Sequence, residues 1–232
     1  MIEDAVNALR NGKVICLYDY DNRERETDLV FAAEFSTPKL VYQLRRDAGG
    51  LMCVAIDPVA CDTLGIPYIT DVLKYAGNCG NGFGAIESIY EKVGDIPYDT
   101  KSSFSLWVNH RKVYTGITDI DRSMTIKELA NITDSALNGN KVTFGSQFRS
   151  PGHVPLLRCA PGMLKDRRGQ TELSIVLARA AKVTPAMVMC EMLDGQTGKA
   201  LTKQDAKNYA ENNGLAFVEG TDVEALFKTM KV

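Results

Sequence analysis

The stretch that most constrains the fold runs from Val14 to Asp28, where an apolar segment passes directly into a dense group of carboxylates. Residues 14–18 are large and β-branched apolar side chains, which predict a short buried strand. A second apolar run, residues 29–33, lies on the other side of the charged group. The strand end is where α/β folds bind ligands. The carboxylates held between these two runs are Asp19, Asp21, Glu24, Glu26 and Asp28.

Glu24, Glu26 and Asp28 recur with a period of two. In an extended segment all three side chains would lie on one face, and their mutual repulsion would require a cation nearby. Mg²⁺ prefers such oxygen ligands, and a positively charged partner would also compensate. The alternative is a solvated charged turn between two strands. The flanking core segments favour a cleft.

Composition limits the classes of function. A chain of 232 residues with 45% hydrophobic content is long enough for one large domain with a substantial core. A net charge of −2 argues against nucleic-acid binding, and no apolar run approaches the length of a membrane helix. The six cysteines show neither disulfide nor zinc spacing, and the acidic N-terminus is unlike a signal peptide. We expect one cytoplasmic domain over residues 1–232, with no nucleic-acid or membrane partner.

Helix and strand patterns alternate along the chain, which predicts an α/β fold with a mixed sheet. Capping signals predict helices that begin near Thr37, Thr125 and Thr221. Further helices are predicted over residues 2–9, 58–64 and 203–212, and strands over residues 51–56, 104–109, 112–114, 187–193 and 215–218. The glycine-rich residues 76–95, around a short helix at 86–91, form either a lid or a variable surface loop.

A second group of polar residues lies in the C-terminal half. His153, one of two histidines, lies in a Pro-Gly turn and can carry a proton to a substrate, although a lone histidine is more often structural. Arg167, Arg168 and Gly169 precede an apolar helix and offer a phosphate site at its N-terminus. A helix cap with solvated arginines is the alternative. Residues 115–118, rich in hydroxyls, could present donors to an oxyanion.

Glu191 is the one carboxylate in the apolar run of residues 187–193. A buried carboxylate must be paired or protonated, because its isolated charge is costly to desolvate. We therefore expect the pKa of Glu191 to be raised, which suits an acid or a base.

Over nearly its whole length the sequence resembles the 3,4-dihydroxy-2-butanone 4-phosphate synthase family of riboflavin biosynthesis, and it is most similar to the single-domain archaeal type. The matching segments agree in order and spacing, and together they are highly specific. They are DYDNRERETDL, DAGGLMCVAI, TGITDIDR, FRSPGHVPLLR, RRGQTE and CEM. We expect no GTP cyclohydrolase II domain, which is fused in some relatives.

The resemblance implies a three-layer α/β/α sandwich and a Mg²⁺-dependent (or Mn²⁺-dependent) lyase. Its substrate would be D-ribulose 5-phosphate, and its products L-3,4-dihydroxy-2-butanone 4-phosphate and formate. It also implies a homodimer with the site at the interface between the two chains.

The family's functional residues map onto the matching positions of this sequence. His153 and Glu191 match the residues of proton transfer, and Glu24 matches a metal ligand. The positions that the resemblance assigns to substrate binding are Arg23, Glu24, Asp28, Arg167, Arg168, Gly169, Gln170, Thr171 and Glu191. Glu26 and Cys53 lie in the same motifs without an assigned role.

Two positions depart from the family pattern. Gln170 replaces the histidine that is the second protein ligand of the metal, and Arg25 replaces Gly or Asn. An amide oxygen can bind Mg²⁺ but suits imidazole-preferring metals less well, and Arg25 adds positive charge nearby. We expect an active enzyme with an altered metal preference. The alternatives are a catalytically weakened sugar-phosphate-binding relative and another metal-dependent sugar-phosphate isomerase or aldolase; formate release separates them from the lyase.

Overall fold

The structure, a computed structural model, describes residues 2–79 and 84–230. Its strands are β1 (Ile15–Tyr18), β2 (Thr27–Ala32), β3 (Cys53–Ile56), β4 (Phe104–His110), β5 (Phe148–Arg158), β6 (Ala186–Glu191) and β7 (Phe217–Glu219). Its α-helices are α1 (Ile2–Arg10), α2 (Pro38–Asp47), α3 (Pro58–Leu64), α4 (Ile69–Asn78), α5 (Gly84–Ile89), α6 (Asp119–Leu137), α7 (Phe144–Gln147), α8 (Gln170–Ala181), α9 (Lys203–Asn212) and α10 (Gly220–Thr229).

The described strands pair into one mixed sheet in the order β4-β5-β3-β6-β2-β1-β7. β1 and β2 form an antiparallel hairpin, while β3 with β5 and β1 with β7 run parallel. β6 lies at the centre of the sheet, antiparallel to both β2 and β3. The acidic turn between β1 and β2 therefore lies beside the end of β6 that carries Glu191.

Alternate side chains of the strands enter two separate apolar cores. Leu29 and Phe31 of β2 belong to the core that also contains residues of α2, α3, α6 and α9. Val30 and Ala32 belong to the other core, with residues of α1, α8 and α10. Because side chains alternate across a strand, the sheet is covered on both faces. The expected α/β/α sandwich with a mixed sheet is confirmed.

Local capping signals predicted several helices well. Thr37 accepts a hydrogen bond from the backbone N–H of Leu40 at the start of α2, as its position before Pro38 predicted. The helices predicted over residues 2–9, 58–64 and 203–212 are α1, α3 and α9. The short helix predicted at 86–91 corresponds to α5, and residues 80–83 of the glycine-rich stretch lie outside the described residues.

Two sequence predictions were wrong, and one helix was missed. Helix α6 begins after Thr118, whose side chain caps it by accepting from Asp121 N at 3.1 Å, and Thr125 lies inside this helix. The Thr125 hydroxyl accepts instead from the backbone N–H of His110 at 3.1 Å. Residues 112–114 form a turn rather than a strand, and α4 was not predicted. Within the described residues no helix is both long and apolar enough to cross a membrane.

Strand β5 is interrupted by a bulge that carries His153. Val154 pairs with Val108 and Arg149 with Asn109, so residues 150–153 have no partner on β4. Gly152 packs against the β4 backbone, where an added Cβ would lie 2.0 Å from the carbonyl carbon of Val108 and 2.2 Å from the nitrogen of Asn109. Only glycine fits this approach.

We predict that Gly152→Ala lowers the free energy of unfolding by about 1–3 kcal/mol or more, because the added methyl group forces two backbones apart. Urea denaturation followed by circular dichroism measures the effect. Gly145→Ala is the matched control, since a Cβ there meets nothing within 4 Å. Equal stability of the two variants would show that the bulge tolerates displacement.

Candidate active site

The connection between β1 and β2 is a turn, not an extended segment. Of the three carboxylates with a period of two, only Asp28 lies in β2, and Arg25 adopts a left-handed φ of 62°. The predicted common face of an extended segment is therefore wrong, because the chain reverses here to form the hairpin. This conformation favours Gly or Asn, the residues that the family resemblance leads one to expect at position 25. The exposed Arg25 side chain donates to the carbonyl oxygen of Asp21 at 2.7 Å.

Asp19 holds the turn in shape. Its carboxylate is buried and accepts hydrogen bonds from the backbone nitrogen of Glu24 at 2.9 Å and of Glu26 at 3.1 Å. Arg23 Nη1 is a third donor, at 3.3 Å. A charged acceptor with backbone donors fixes a loop strongly. Asp19 thereby directs the side chains of Glu24 and Glu26 toward the sheet.

Four carboxylates converge where this turn meets β6. Asp28 and Glu191 are direct cross-strand partners, and the charges of Glu24 and Glu26 act on them. Burial raises the pKa of Asp28, and repulsion by Glu191, Glu24 and Glu26 adds to the effect. Burial also raises the pKa of Glu191, as predicted, although its Oε2 accepts from Leu51 N at 2.8 Å. Burial and the neighbouring charges raise the pKa of Glu26 to about 7.

Two arginines face the carboxylates. Arg23, with 6% of its side chain exposed, places Nη1 3.0 Å from Glu24 Oε2 and 3.2 Å from Gln170 Oε1. Its Nη2 binds Asp99, and Arg167 Nη2 lies 2.8 Å from the same Asp99 oxygen. The Asp99 carboxylate is therefore an anion held between the guanidinium groups of Arg23 and Arg167.

The N-terminus of α8 closes this side of the site. Gly169 caps the helix, and an added Cβ there would lie 2.1 Å from Arg167 Nη1. The buried Glu172 accepts from Arg167 Nη1 at 2.8 Å and from Ala160 N at 3.0 Å. Thr171 Oγ1 lies 3.0 Å from Ser103 Oγ. These contacts fix Arg167 and the first helical turn relative to the sheet.

A cleft lies between these groups. The predicted site residues among those that line it are Glu24, Asp28, Arg167, Gln170, Thr171 and Glu191. Cys53 also lines the cleft, and burial raises the pKa of its thiol. Arg23 and Gly169 lie directly behind the lining residues, in contact with Gln170 and Arg167.

Two predicted residues lie elsewhere. Arg168 is exposed, lies over the Tyr20 ring with 4.0 Å from its guanidinium carbon to the ring centroid, and forms an ion pair with Glu224 at 3.1 Å. His153 lies on the β5 bulge and, among the described residues, does not line the cleft. β3 separates its strand from β6. One chain does not bring His153 to its own carboxylates.

The sequence reasoning missed several residues of the site. Asp99 and Tyr98 lie in an irregular segment without a periodic pattern, and only the fold brings them to Arg23, whose guanidinium carbon lies 5.3 Å from the Tyr98 ring centroid. Asp19 belonged to the acidic run, but no pattern distinguished its structural role. The predicted oxyanion donors of residues 115–118 are also used internally, because Gly116 N and Thr115 N donate to Asp121 at 2.8 and 3.2 Å.

The sequence profile of the 3,4-dihydroxy-2-butanone 4-phosphate synthase family matches residues 3–226. The chain is 52% identical to the 3,4-dihydroxy-2-butanone 4-phosphate synthase of Methanosarcina mazei, over 96% of this chain and 89% of that protein. It is 47% identical to the same enzyme of Archaeoglobus fulgidus, over 95% of this chain and 91% of that one. A crystal structure of a 3,4-dihydroxy-2-butanone 4-phosphate synthase with two magnesium ions superposes with a TM-score of 0.75, at 26% identity over 98% and 97% of the two chains.

The sandwich fold and the acidic cleft beside an anion site define an α/β/α enzyme of phosphorylated substrates. The chain belongs to the 3,4-dihydroxy-2-butanone 4-phosphate synthase family. It is a lyase of riboflavin biosynthesis that converts D-ribulose 5-phosphate into L-3,4-dihydroxy-2-butanone 4-phosphate and formate. The predicted reaction is confirmed over the isomerase and aldolase alternatives.

The carboxylate cluster predicts a stability that depends on pH. The pKa of Glu26 is raised from 4.5 to about 7, so the folded chain binds more protons than the unfolded chain between these values. Stability in EDTA should therefore fall as the pH rises through this window, and Glu26→Gln should flatten the decline. Thermal melts by circular dichroism measure both slopes. The exposed Glu211→Gln should keep the wild-type slope, and a wild-type slope in Glu26→Gln would contradict the prediction.

Proposed function

We propose that D-ribulose 5-phosphate binds with its phosphate at Arg167 and the N-terminus of α8, and with its sugar carbons beside the carboxylates. The observation that carries this orientation is Asp99, whose carboxylate lies between Arg23 and Arg167. A phosphate offers the same charge with more acceptor oxygens, which suits paired guanidinium groups. The N-terminus of α8, which begins after Gly169 and includes Thr171, adds the favourable end of a helix dipole.

The chemistry at the sugar carbons requires enolisation, loss of water, a rearrangement of the skeleton and release of formate. Glu191 is the proton carrier within the cleft, because burial raises the pKa of its carboxyl group and so makes it a better proton acceptor than a solvated carboxylate. Asp28, its cross-strand partner, holds substrate hydroxyls.

The residues of the cleft fit a divalent cation, Mg²⁺ or Mn²⁺. Glu24 Oε2 and Gln170 Oε1 both contact the same nitrogen of Arg23, so these two proposed ligands lie together and attract positive charge. Gln170 Nε2 is buried without a described hydrogen-bond partner. Within residues 2–79 and 84–230, no three His, Cys, Asp or Glu side chains form a metal site. The cation would take its remaining ligands from substrate and water, as Mg²⁺ often does, and would polarise the substrate's oxygens.

The proposal extends to a homodimer in which His153 serves the cleft of the second copy. His153 is exposed and lies outside its own cleft. Exposed apolar side chains surround its part of the sheet and the start of α6, which is typical of an interaction surface. They are Trp107, Tyr114, Ile117, Ile120 and Met124.

We also propose that the enzyme is a single domain and works in the cytoplasm. All the described strands join one sheet, which supports one domain. The six cysteines are free, as is usual in a reducing compartment.

Mixing two inactive variants tests the site residues and the dimer together. His153→Ala and Glu191→Gln should each lose on the order of 10²–10⁴-fold in formate release, since each removes a proton carrier. Dimers formed after mixing and refolding would include mixed dimers with one intact site. Because half of the dimers are mixed, about a quarter of wild-type activity should return in a symmetric C₂ dimer.

Circular dichroism and analytical ultracentrifugation show that each variant folds and dimerises before mixing. Mixing Glu191→Gln with Asp28→Asn is the control for nonspecific recovery, because both residues line the cleft of the same chain and no mixed dimer then has an intact site. A fully active monomer would overturn the dimer proposal, and near-normal activity of His153→Ala would assign that residue a structural role.

Gln170→His tests the metal ligand. An imidazole favours transition metals over Mg²⁺, so the variant should bind Mn²⁺ and Zn²⁺ more tightly than the wild type does. Isothermal titration calorimetry with substrate measures affinity, and formate assays with and without Mg²⁺ measure turnover. Arg25→Gly is the control, because the Arg25 side chain points to Asp21 O and its removal should leave metal affinity unchanged. Unchanged metal preference in Gln170→His would mean that Gln170 is not a ligand.

A further inference from the structure

Asn109 holds the imidazole of His153, the residue to which the proposed function gives a part in the reaction. The side chain of Asn109 is buried in β4. Its Oδ1 accepts a hydrogen bond from the backbone N–H of His153 at 2.8 Å. His153 Nδ1 lies 3.1 Å from Asn109 Nδ2 and 3.3 Å from Oδ1, so the ring nitrogen is nearer to the amide nitrogen. One amide group therefore contacts both the backbone and the ring of the same histidine.

The orientation of this amide follows from its neighbours. A backbone N–H can only donate, so the Asn109 atom that faces it must be the oxygen. The nitrogen then points at the carbonyl oxygen of Thr115, 3.3 Å away, which can only accept. A flipped amide would place two donors together at one position and two acceptors together at the other.

The surrounding backbone holds Asn109 in place. Gly116 has a left-handed φ of 97°, and a Cβ added there would lie 2.0 Å from Asn109 Nδ2. Gly152 packs as closely on the other side, against the nitrogen of Asn109. Asp121 fixes the loop of Gly116 by accepting from the backbone of Thr115 and Gly116. The Asn109 amide is thus enclosed by closely packed backbone at Gly116 and Gly152.

We infer that Asn109 is a positioning residue that fixes His153 as the tautomer protonated on Nε2. Asn109 Nδ2 has one hydrogen for Thr115 O and another for Nδ1, so the neutral ring accepts at Nδ1 and carries its proton on Nε2. The ring nitrogen offered to the substrate is then a hydrogen-bond donor. His153 polarises a substrate oxygen, and the carboxylates act as the base.

Nitrogen NMR of the histidine rings tests the tautomer directly. The chain has only two histidines, so the His153→Ala spectrum assigns both rings. At a pH where the rings are neutral, wild-type His153 should show a protonated Nε2 and an unprotonated Nδ1. A wild-type His153 ring protonated on Nδ1, or an equal mixture of tautomers, would overturn the inference. This result needs no variant of Asn109.

Asn109→Asp reverses the hydrogen bond. A carboxylate oxygen in place of Nδ2 accepts rather than donates, so the ring proton should move to Nδ1. The value of kcat should fall on the order of 10²-fold, as for removal of one positioned donor, with KM within about twofold if substrate contacts are otherwise kept. In the His153→Ala background, Asn109→Asp should have no further effect on kcat. The exposed Asn140→Asp is the control for added charge.

Failure of the proposed function and failure of this inference give different results. Wild-type kcat in an Asn109→Asp enzyme whose ring proton has moved would overturn the positioning role. A fully active His153→Ala enzyme would overturn the part of His153 in the reaction, while the wild-type tautomer would still report on Asn109. If Asn109→Asp does not fold, the wild-type spectrum alone decides.

Discussion

The active cleft depends on the buried carboxylate of Asp19, which holds the acidic turn in place. Asp19 satisfies two backbone N–H groups of the acidic turn and one guanidinium nitrogen. Without such an acceptor, the turn would leave buried donors unpaired, which costs more than the bond itself contributes. The position of this turn then determines where Glu24 and Glu26 lie relative to β6. The geometry of the carboxylate cluster therefore follows from the hydrogen bonds that Asp19 accepts from the backbone of the turn.

Much of the fold was predictable because its signals are local. Thr37, which precedes a proline, caps the start of α2 with its own side chain. The apolar run that ends at Glu191 is a buried strand paired with β2 on one side and β3 on the other. The carboxylates and the α8 terminus were likewise recognised, since each lies at the end of an element that its own sequence specifies. The family motifs then related these separate segments to one another.

What the sequence did not reveal depends on contacts between distant segments. The spacing from Thr125 to Glu128 predicts a helix start, but the Thr125 hydroxyl bonds His110 N and the true start lies at Thr118. Asp99 reaches Arg23 from 76 residues away, and no local pattern marks it. The position of His153 outside the cleft follows from the strand order, in which β3 separates β5 from β6, and no local pattern specifies that order. Tertiary pairing decides each of these cases.

The Asp99 carboxylate also has a consequence for the proposed mode of phosphate binding, because it lies between the two arginines. Arg23 and Arg167 have little exposed surface, 6% and 16% of their side chains, and two such cations without an anion would repel each other strongly. Asp19 and Glu24 also pair with Arg23, and Glu172 pairs with Arg167. In the proposed binding mode the phosphate would replace Asp99 among these anions. Binding in this mode would exchange one counterion for another inside the protein, and its selectivity would come from the number and direction of acceptor oxygens more than from net charge.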